Sequence, residues 1–186
     1  MAFRGDRGYQ ANVMTKSIDM TGSEAVMLVR EYEARDAASV WGLHVEALSA
    51  IGALYPGPWD EDFKRITEVY FNPGGTFLVG ELDGGIAAMG ALRYIDPVTA
   101  EIKRMRIRPK FQRRGLGSLI LQGLERHAAL RGFWNLELDT TTEQHGARAF
   151  YEKHGYHAVG VRRAAHAEQI IYRKVIDPLA LAARSP

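Results

Sequence analysis

The residues best suited to chemistry lie in two short stretches. The first is Gln112-Arg113-Arg114-Gly115-Leu116-Gly117, which runs directly into a helical pattern. The start of a helix presents several backbone N–H groups that have no intrahelical partner. The helix dipole adds partial positive charge at the same place. Glycines clear away side chains, so a phosphate can approach the backbone. Lys110, Arg113 and Arg114 supply further charge, and a diphosphate cradle follows. On the loop alone, the glycines could equally serve turn geometry and the arginines a solvated surface. Two other phosphate motifs are excluded by spacing. There is no Gly-xxxx-Gly-Lys-Ser/Thr, and a Gly-x-Gly-x-x-Gly begun at Gly115 meets Ile120 at its last glycine. The second stretch is Ala147-x-x-Phe150-Tyr151-Glu152-Lys153-x-Gly155-Tyr156.

The elements that must position these residues are legible from periodicity. Ala25 to Glu31 has the pattern of a strand. Asp36 can cap a helix whose apolar stripe includes Val40, Trp41, His44, Val45 and Leu48. His44, on that stripe, is expected to be a satisfied core histidine. A loop with Tyr55 and Trp59 follows, and Asp60 is predicted to cap a second helix ended by Asn72-Pro73-Gly74-Gly75. Thr76–Glu81 and Ile86–Tyr94 form a hairpin through Asp83-Gly84-Gly85. A strand from Ala100 to Ile107 ends at Arg108-Pro109, since proline cannot continue a ladder. Leu116 to Leu130 is a long amphipathic helix, and Trp134–Asp139 alternates as a half-buried strand. Thr141 or Thr142 caps a shorter helix to about Lys153, and Tyr156–Val161 and Gln169–Val175 close the domain. The order β-α-α-β-β-β-α-β-α-β-β contains one β-α-β unit, hence one parallel pair. The expected fold is α/β: a mixed, mostly antiparallel twisted sheet of about seven strands with helices on both faces.

Composition narrows the function. The 186 residues carry 24 Lys and Arg against 22 Asp and Glu, a net charge of only +2. Yet Lys103 to Arg114 holds seven Lys or Arg and no acid. A local basic focus in a balanced chain points to a small anion rather than a nucleic-acid surface, and Phe111 is the one aromatic within it. The chain has no cysteine, so disulfides, thiolate zinc sites and a cysteine nucleophile are excluded. No pair of histidines has convincing metal spacing with a carboxylate, and no metal is expected. No apolar run approaches a membrane span of about 20 residues, and the N-terminus lacks the apolar core of a signal peptide. Residues 1–24 are read as a flexible tail, 25–176 as the domain and 177–186 as a second tail, in a cytoplasmic protein.

The two stretches together resemble something more specific. Ile107-Arg108-Pro109-x-x-Gln112-x-x-Gly115-x-Gly117 resembles the acetyl-CoA motif of the GNAT superfamily of N-acetyltransferases, and Ala147 to Tyr156 is similar to that family's second motif. The resemblance spans roughly Val26 to Lys174, and the element order above is that family's order. It implies the acyl-CoA N-acyltransferase fold, acetyl-CoA as cosubstrate and an amine acceptor. The diphosphate would lie on the amides of Gln112, Arg113, Arg114, Gly115, Leu116 and Gly117, with Ser118 at the helix start. Pantetheine would pair with the backbone of Met105, Arg106 and Ile107 on a strand that splays from its neighbour. An N–H of Met105 or Ile107 would polarise the thioester carbonyl. Tyr151 would protonate the leaving thiolate; the alternative is a helix tyrosine packed beside Phe150. Glu101 is the candidate base, sharing a face with Lys103, Met105 and Ile107 by period two; the alternative is a salt bridge to Lys103 or Arg104. Gln144 stands where the family often has Asn and would reach a pantetheine or phosphate oxygen, and Lys153 would approach the adenosine phosphate. Tyr55, Trp59 and Asp60 fall in the family's acceptor-side loop. A homodimer is compatible with the resemblance; the rival reading is a module that binds CoA without catalysis, or a transferase using another acyl donor.

Overall fold

The computed structural model describes residues 14–19, 24–53, 57–163 and 167–182. Tyr55 lies outside the described residues. Eight strands form one sheet, in the spatial order β1-β2-β3-β4-β5-β6-β8-β7. They are β1 (Met14–Asp19), β2 (Glu24–Glu31), β3 (Thr76–Leu82), β4 (Gly85–Asp96), β5 (Thr99–Ile107), β6 (Asn135–Thr141), β7 (His157–Arg163) and β8 (Glu168–Val175). Every neighbouring pair is antiparallel except β5 and β6. That single parallel pair is connected through the helix α2 (Leu116–Leu130), as a β-α-β unit requires.

The sheet separates two cores. On one face, Leu116, Ile120 and Leu124 of α2 pack over Leu78, Leu92, Ile102, Leu136 and Leu138. On the other face, Val40 and Leu43 of α1 (Ala37–Ser49) join Phe63, Tyr70, Phe77 and Met89. Burying each such side chain contributes about 1.5–3 kcal/mol, so each face of the sheet is held firmly. The β3–β4 hairpin turns at Asp83 and Gly84, both left-handed with φ of 51° and 74°. That is the primed geometry suited to the twist of paired strands.

Four expectations are corrected. Residues 14–19, read as part of a tail, form the edge strand β1, paired to β2 from Met14↔Val29 to Asp19↔Glu24. Its polar composition hid it, because only Ile18 is buried. The helix expected from Asp60 is instead a 3₁₀ segment, Pro58–Lys64, and a π-helical turn, Thr67–Phe71. Their irregular winding turns Asp60, Phe63 and Tyr70 inward together. The second tail contributes the short helix α4 (Pro178–Ala182). The third helix, α3, runs His145–Lys153 with Gln144 rather than a threonine at its N-cap position.

Candidate active site

The site begins with an irregularity in β5. On β4, one residue separates Met89 from Ala91, while on β5 two residues separate Lys103 from Arg106. Arg104 and Met105 therefore oppose Gly90 alone, which is a β-bulge. Arg104 adopts φ of +56°, a left-handed conformation that an L-residue occupies at a cost of about 1–2 kcal/mol. Its side chain supplies the compensation. Nε donates to Asp62 at 2.8 Å, NH1 to Asp60 at 2.8 Å and NH2 to Asp62 at 2.6 Å. NH2 also donates to the carbonyl of Trp59, and the guanidinium lies 4.7 Å from the Phe63 ring centroid. Burial opposes its charge, but Asp62 more than offsets this and holds the guanidinium above its ordinary value. The Tyr70 hydroxyl donates to the same Asp62 carboxylate.

The bulge also reverses the alternation of β5. Ile102, Met105 and Ile107 face the α2 core, whereas Glu101 and Lys103 precede the inserted residue and lie on the opposite face. Glu101 therefore does not share a face with Met105 and Ile107, contrary to period two. Its carboxylate is bound by Arg93 and, at 3.3 Å, by Lys103. These are the kind of salt-bridge contacts the sequence allowed, with Arg93 in place of Arg104. Lys103 also reaches Asp139 on β6 at 3.6 Å.

Beyond Glu101 the parallel pair ends. β5 and β6 are registered only from Thr99↔Asn135 to Glu101↔Glu137. The rest of β5 has no β6 partner, so its backbone groups line an open cleft. Arg108 N–H bonds back to Ala87 O at 2.8 Å, and strand alternation then turns the Ile107 peptide groups to the open edge. There the Gln112 side chain donates to Ile107 O at 3.3 Å, and Arg106 NH1 donates to Met105 O at 2.8 Å.

The loop closes the far end of this cleft. Gly115, with φ of +84°, occupies the N-cap position of α2, and Arg113 is also left-handed at +61°. Leu119 N–H is the donor to Gly115 O at 3.2 Å, so the amides of Leu116, Gly117 and Ser118 open outward from the helix end. Arg114 is tied to Asp19 O of β1 at 2.7 Å, which gives the edge strand a place in the site. A Cβ on Gly117 would lie 3.5 Å from the Phe150 ring. His154 joins α3 to α2: Nδ1 lies 2.7 Å from Phe150 O and Nε2 lies 3.0 Å from Ser118 Oγ. A carbonyl only accepts, so Nδ1 carries a proton, and in the neutral ring Ser118 donates to Nε2. His154 was not singled out from sequence.

Tyr151 sits on α3 and is buried, 8% exposed. Its ring packs edge-on to Phe150 at 5.2 Å and to Tyr156 at 5.7 Å. Among the described residues its hydroxyl has no hydrogen-bond partner. Burial pushes the phenol above its ordinary value, while Arg106 pulls it down and Asp139 pushes it up. The packing beside Phe150 that the sequence offered as the alternative is present. Arg106 and Asp139 are its charged neighbours, and neither side chain was singled out from sequence. Gln144 is held by Thr140, whose Oγ1 donates to Gln144 Oε1 at 2.9 Å, and Lys153 is exposed on α3.

A cavity of about 420 Å³ opens on the α1 side of β5, lined by Trp59, Asp62, Tyr70, Arg93, Lys103 and Arg104 among others. His44 on α1 is fully buried. Burial and the nearby Arg106 charge push its imidazole down to about 4, so it is neutral at pH 7. It lies 3.4 Å from Asp60 and stacks against Trp41 and Phe63. No helix among the described residues is long and apolar enough to cross a membrane.

An open mixed sheet splayed at its one parallel pair, with a glycine-capped helix beside the split, defines an acyltransferase class of fold. The model of the acetyltransferase (GNAT) family matches residues 42–156, and the chain belongs to that family. It is 32% identical over 117 residues to the uncharacterized N-acetyltransferase YedL of Escherichia coli (strain K12), covering 60% of this chain and 74% of that protein. The crystal structure of an acetyltransferase from Streptococcus agalactiae 2603 superposes with a TM-score of 0.74 at 22% identity, covering 81% of this chain and 98% of that one. A PaiA N-acetyltransferase from Thermoplasma acidophilum, solved in complex with coenzyme A, gives a TM-score of 0.65 at 16% identity over 81% of this chain and 99% of that one.

Proposed function

We propose that this protein transfers the acetyl group of acetyl-CoA to a primary amine, by direct attack of the amine in a ternary complex. The observation that carries the reading is the end of the β5–β6 register at Glu101↔Glu137, which leaves the rest of the β5 edge without a β6 partner. Pantetheine would pair with that edge at Met105, Arg106 and Ile107. The diphosphate would lie on the amides from Gln112 to Gly117, beginning the α2 helix at Leu116. Ser118, whose proton is engaged by His154, would contribute there as an acceptor or after turning. Gln144 and Lys153 complete the donor side in this reading. The coenzyme A bound to the Thermoplasma acidophilum relative supports the same class of donor.

The acceptor amine would enter through the cavity beside Arg104, placing its nitrogen near the split in the sheet. Its lone pair forms the new C–N bond, and the C–S pair leaves on sulfur. Tyr151 is the donor that meets that sulfur. Glu101 is the proposed base for the acceptor proton. An acetyl-enzyme is not required, and a chain without cysteine lacks the nucleophile best suited to one.

A broad panel of amines, mixed with acetyl-CoA and read by free thiol, tests the reading. Thiol release with at least one amine is expected. A protein stabilised by CoA that releases thiol with none would be a binding module. Replacing Glu101 by Gln should remove the acidic limb of the pH–rate profile; an unchanged limb would pass the proton to water instead.

A further inference from the structure

We propose that the Arg106 side chain, beyond its strand's pairing role, stabilises the negative charge that develops on the departing sulfur. This rests on the transfer reaction proposed above. The placement is geometric. Arg106 follows the bulge, and its NH1 bonds Met105 O at 2.8 Å at the open edge of β5. Its Nε is enclosed and has no partner. Among the described residues no carboxylate lies within ion-pair distance of it.

The surrounding groups do not neutralise it. Arg104 repels it, and the guanidinium of Arg104 is itself committed to Asp60 and Asp62. His44 is neutral, and Tyr70 donates to Asp62. Asp60 acts on Arg106 only from beyond contact range and already serves Arg104. Burial, joined by repulsion from Arg104, pulls the Arg106 guanidinium below its ordinary value. A cation held this way is costly in the resting protein. Negative charge forming beside it removes that cost only as the reaction proceeds, so the interaction lowers the barrier rather than the binding energy.

Tyr151 makes such a cation necessary. Its buried phenol is pushed above the ordinary tyrosine range, whereas an ordinary thiol titrates near ~8.5. The phenol therefore holds its proton more tightly than the sulfur would, and donation alone leaves much of the charge on sulfur. Arg106 is close enough for its charge to act on that phenol. In the balanced step, the amine lone pair forms C–N and the C–S pair leaves on sulfur. Sulfur then gains the Tyr151 proton, and the proton shed by nitrogen restores the phenol through the base or solvent.

The test is a titration of bound product. CoA is added to the wild-type protein and to Arg106→Gln, and its thiol is titrated by ultraviolet thiolate absorbance. The wild type should hold the bound thiol at a lower pKa than free CoA, and Arg106→Gln should raise it to or above the free value. Turnover of Arg106→Gln should fall by about 10²-fold, the scale of one lost charge-stabilising donor, with the acceptor KM within about twofold. Arg106→Lys, which keeps the charge, should recover part of both effects, and it carries the test should the Gln variant not fold. Identical thiol titrations in wild type and variants would overturn the proposal. So would a loss confined to the KM of carboxylate-bearing amines, which would make Arg106 an acceptor-anion reader. A wild-type protein that binds no CoA would instead sink the functional reading itself.

Discussion

In the proposed function the two walls of the site are built on different principles. The donor wall, from Met105 along the loop to Gly117, is made of backbone: an unpaired strand edge, a glycine in the left-handed region and the amides of a helix start. The acceptor wall, from Trp59 to Tyr70 with Arg93, Lys103 and Arg104, is made of charged side chains. Its 3₁₀ and π turns hold few regular hydrogen bonds of their own. They are fastened to β5 by Arg104, with three donors spent on Asp60 and Asp62. A backbone wall fixes one shape of ligand whatever the surrounding side chains. A side-chain wall can be rewritten by substitution, as suits the half of the site that must choose an acceptor.

The sharpest way to divide chemistry from binding is Tyr151→Phe. Turnover should fall by about 10²-fold or more, the scale of a lost general acid, while CoA affinity measured by calorimetry stays within about twofold. Equal loss of both would return Tyr151 to a packing role.

Arg104→Gly probes the fastening of the acceptor wall. Glycine accepts the φ of +56° without strain, so the bulge survives while the latch is lost. Acceptor KM should rise about tenfold and CoA affinity should hold, with stability lowered by about 2–4 kcal/mol because Asp60 and Asp62 lose their buried partner. A matched weakening of CoA binding would show that the bulge itself collapses without the side chain.

Gly115→Ala probes the donor wall. A left-handed alanine costs about 1–2 kcal/mol, and its Cβ would come within 2.4 Å of Lys16 Nζ, a flexible end that can yield. CoA should bind roughly five- to tenfold more weakly, with acceptor KM unchanged.

The smallest effect is on pH-dependent stability. His44 beneath the acceptor wall and His127 on α2 are both pushed down to about 4, by burial first and by neighbouring arginines second. Unfolded imidazoles titrate near ~6.5. Between those values the unfolded chain binds protons that the folded chain refuses. Stability is therefore full above about pH 6.5 and falls as pH drops toward 4, by roughly 1–3 kcal/mol per histidine. Urea midpoints at several pH values should show the slope, and His44→Gln and His127→Gln should each flatten it. A slope left intact in both would assign it to carboxylates.

The contrast between the walls also explains what the sequence could show. The donor wall is local in sequence, and a helix start, a proline stop and spaced glycines are visible without tertiary knowledge; α2 runs from Leu116 to Leu130 as periodicity required. The bulge at Arg104 is invisible to a period-two rule, because the inserted residue is defined only against Gly90 on the neighbouring strand. That one residue removes Glu101 from the face of Met105 and Ile107 and puts Arg106 on the face of Glu101 and Lys103. The edge strand β1 escaped notice because an edge needs few apolar side chains. The irregular turns from Pro58 to Phe71 read as a helix because their apolar residues fall at near-helical intervals, while a distant arginine dictates their winding.

Direct transfer between the walls is the claim on which all of this depends. Stoichiometric acetyl-CoA mixed with the protein, followed for free thiol and for protein mass before and after an accepted amine is added, addresses it most directly. No thiol burst and no acetyl adduct are expected until the amine arrives, then one thiol for each amine acetylated. A thiol burst with an acetyl group on the protein before any amine is present would contradict it.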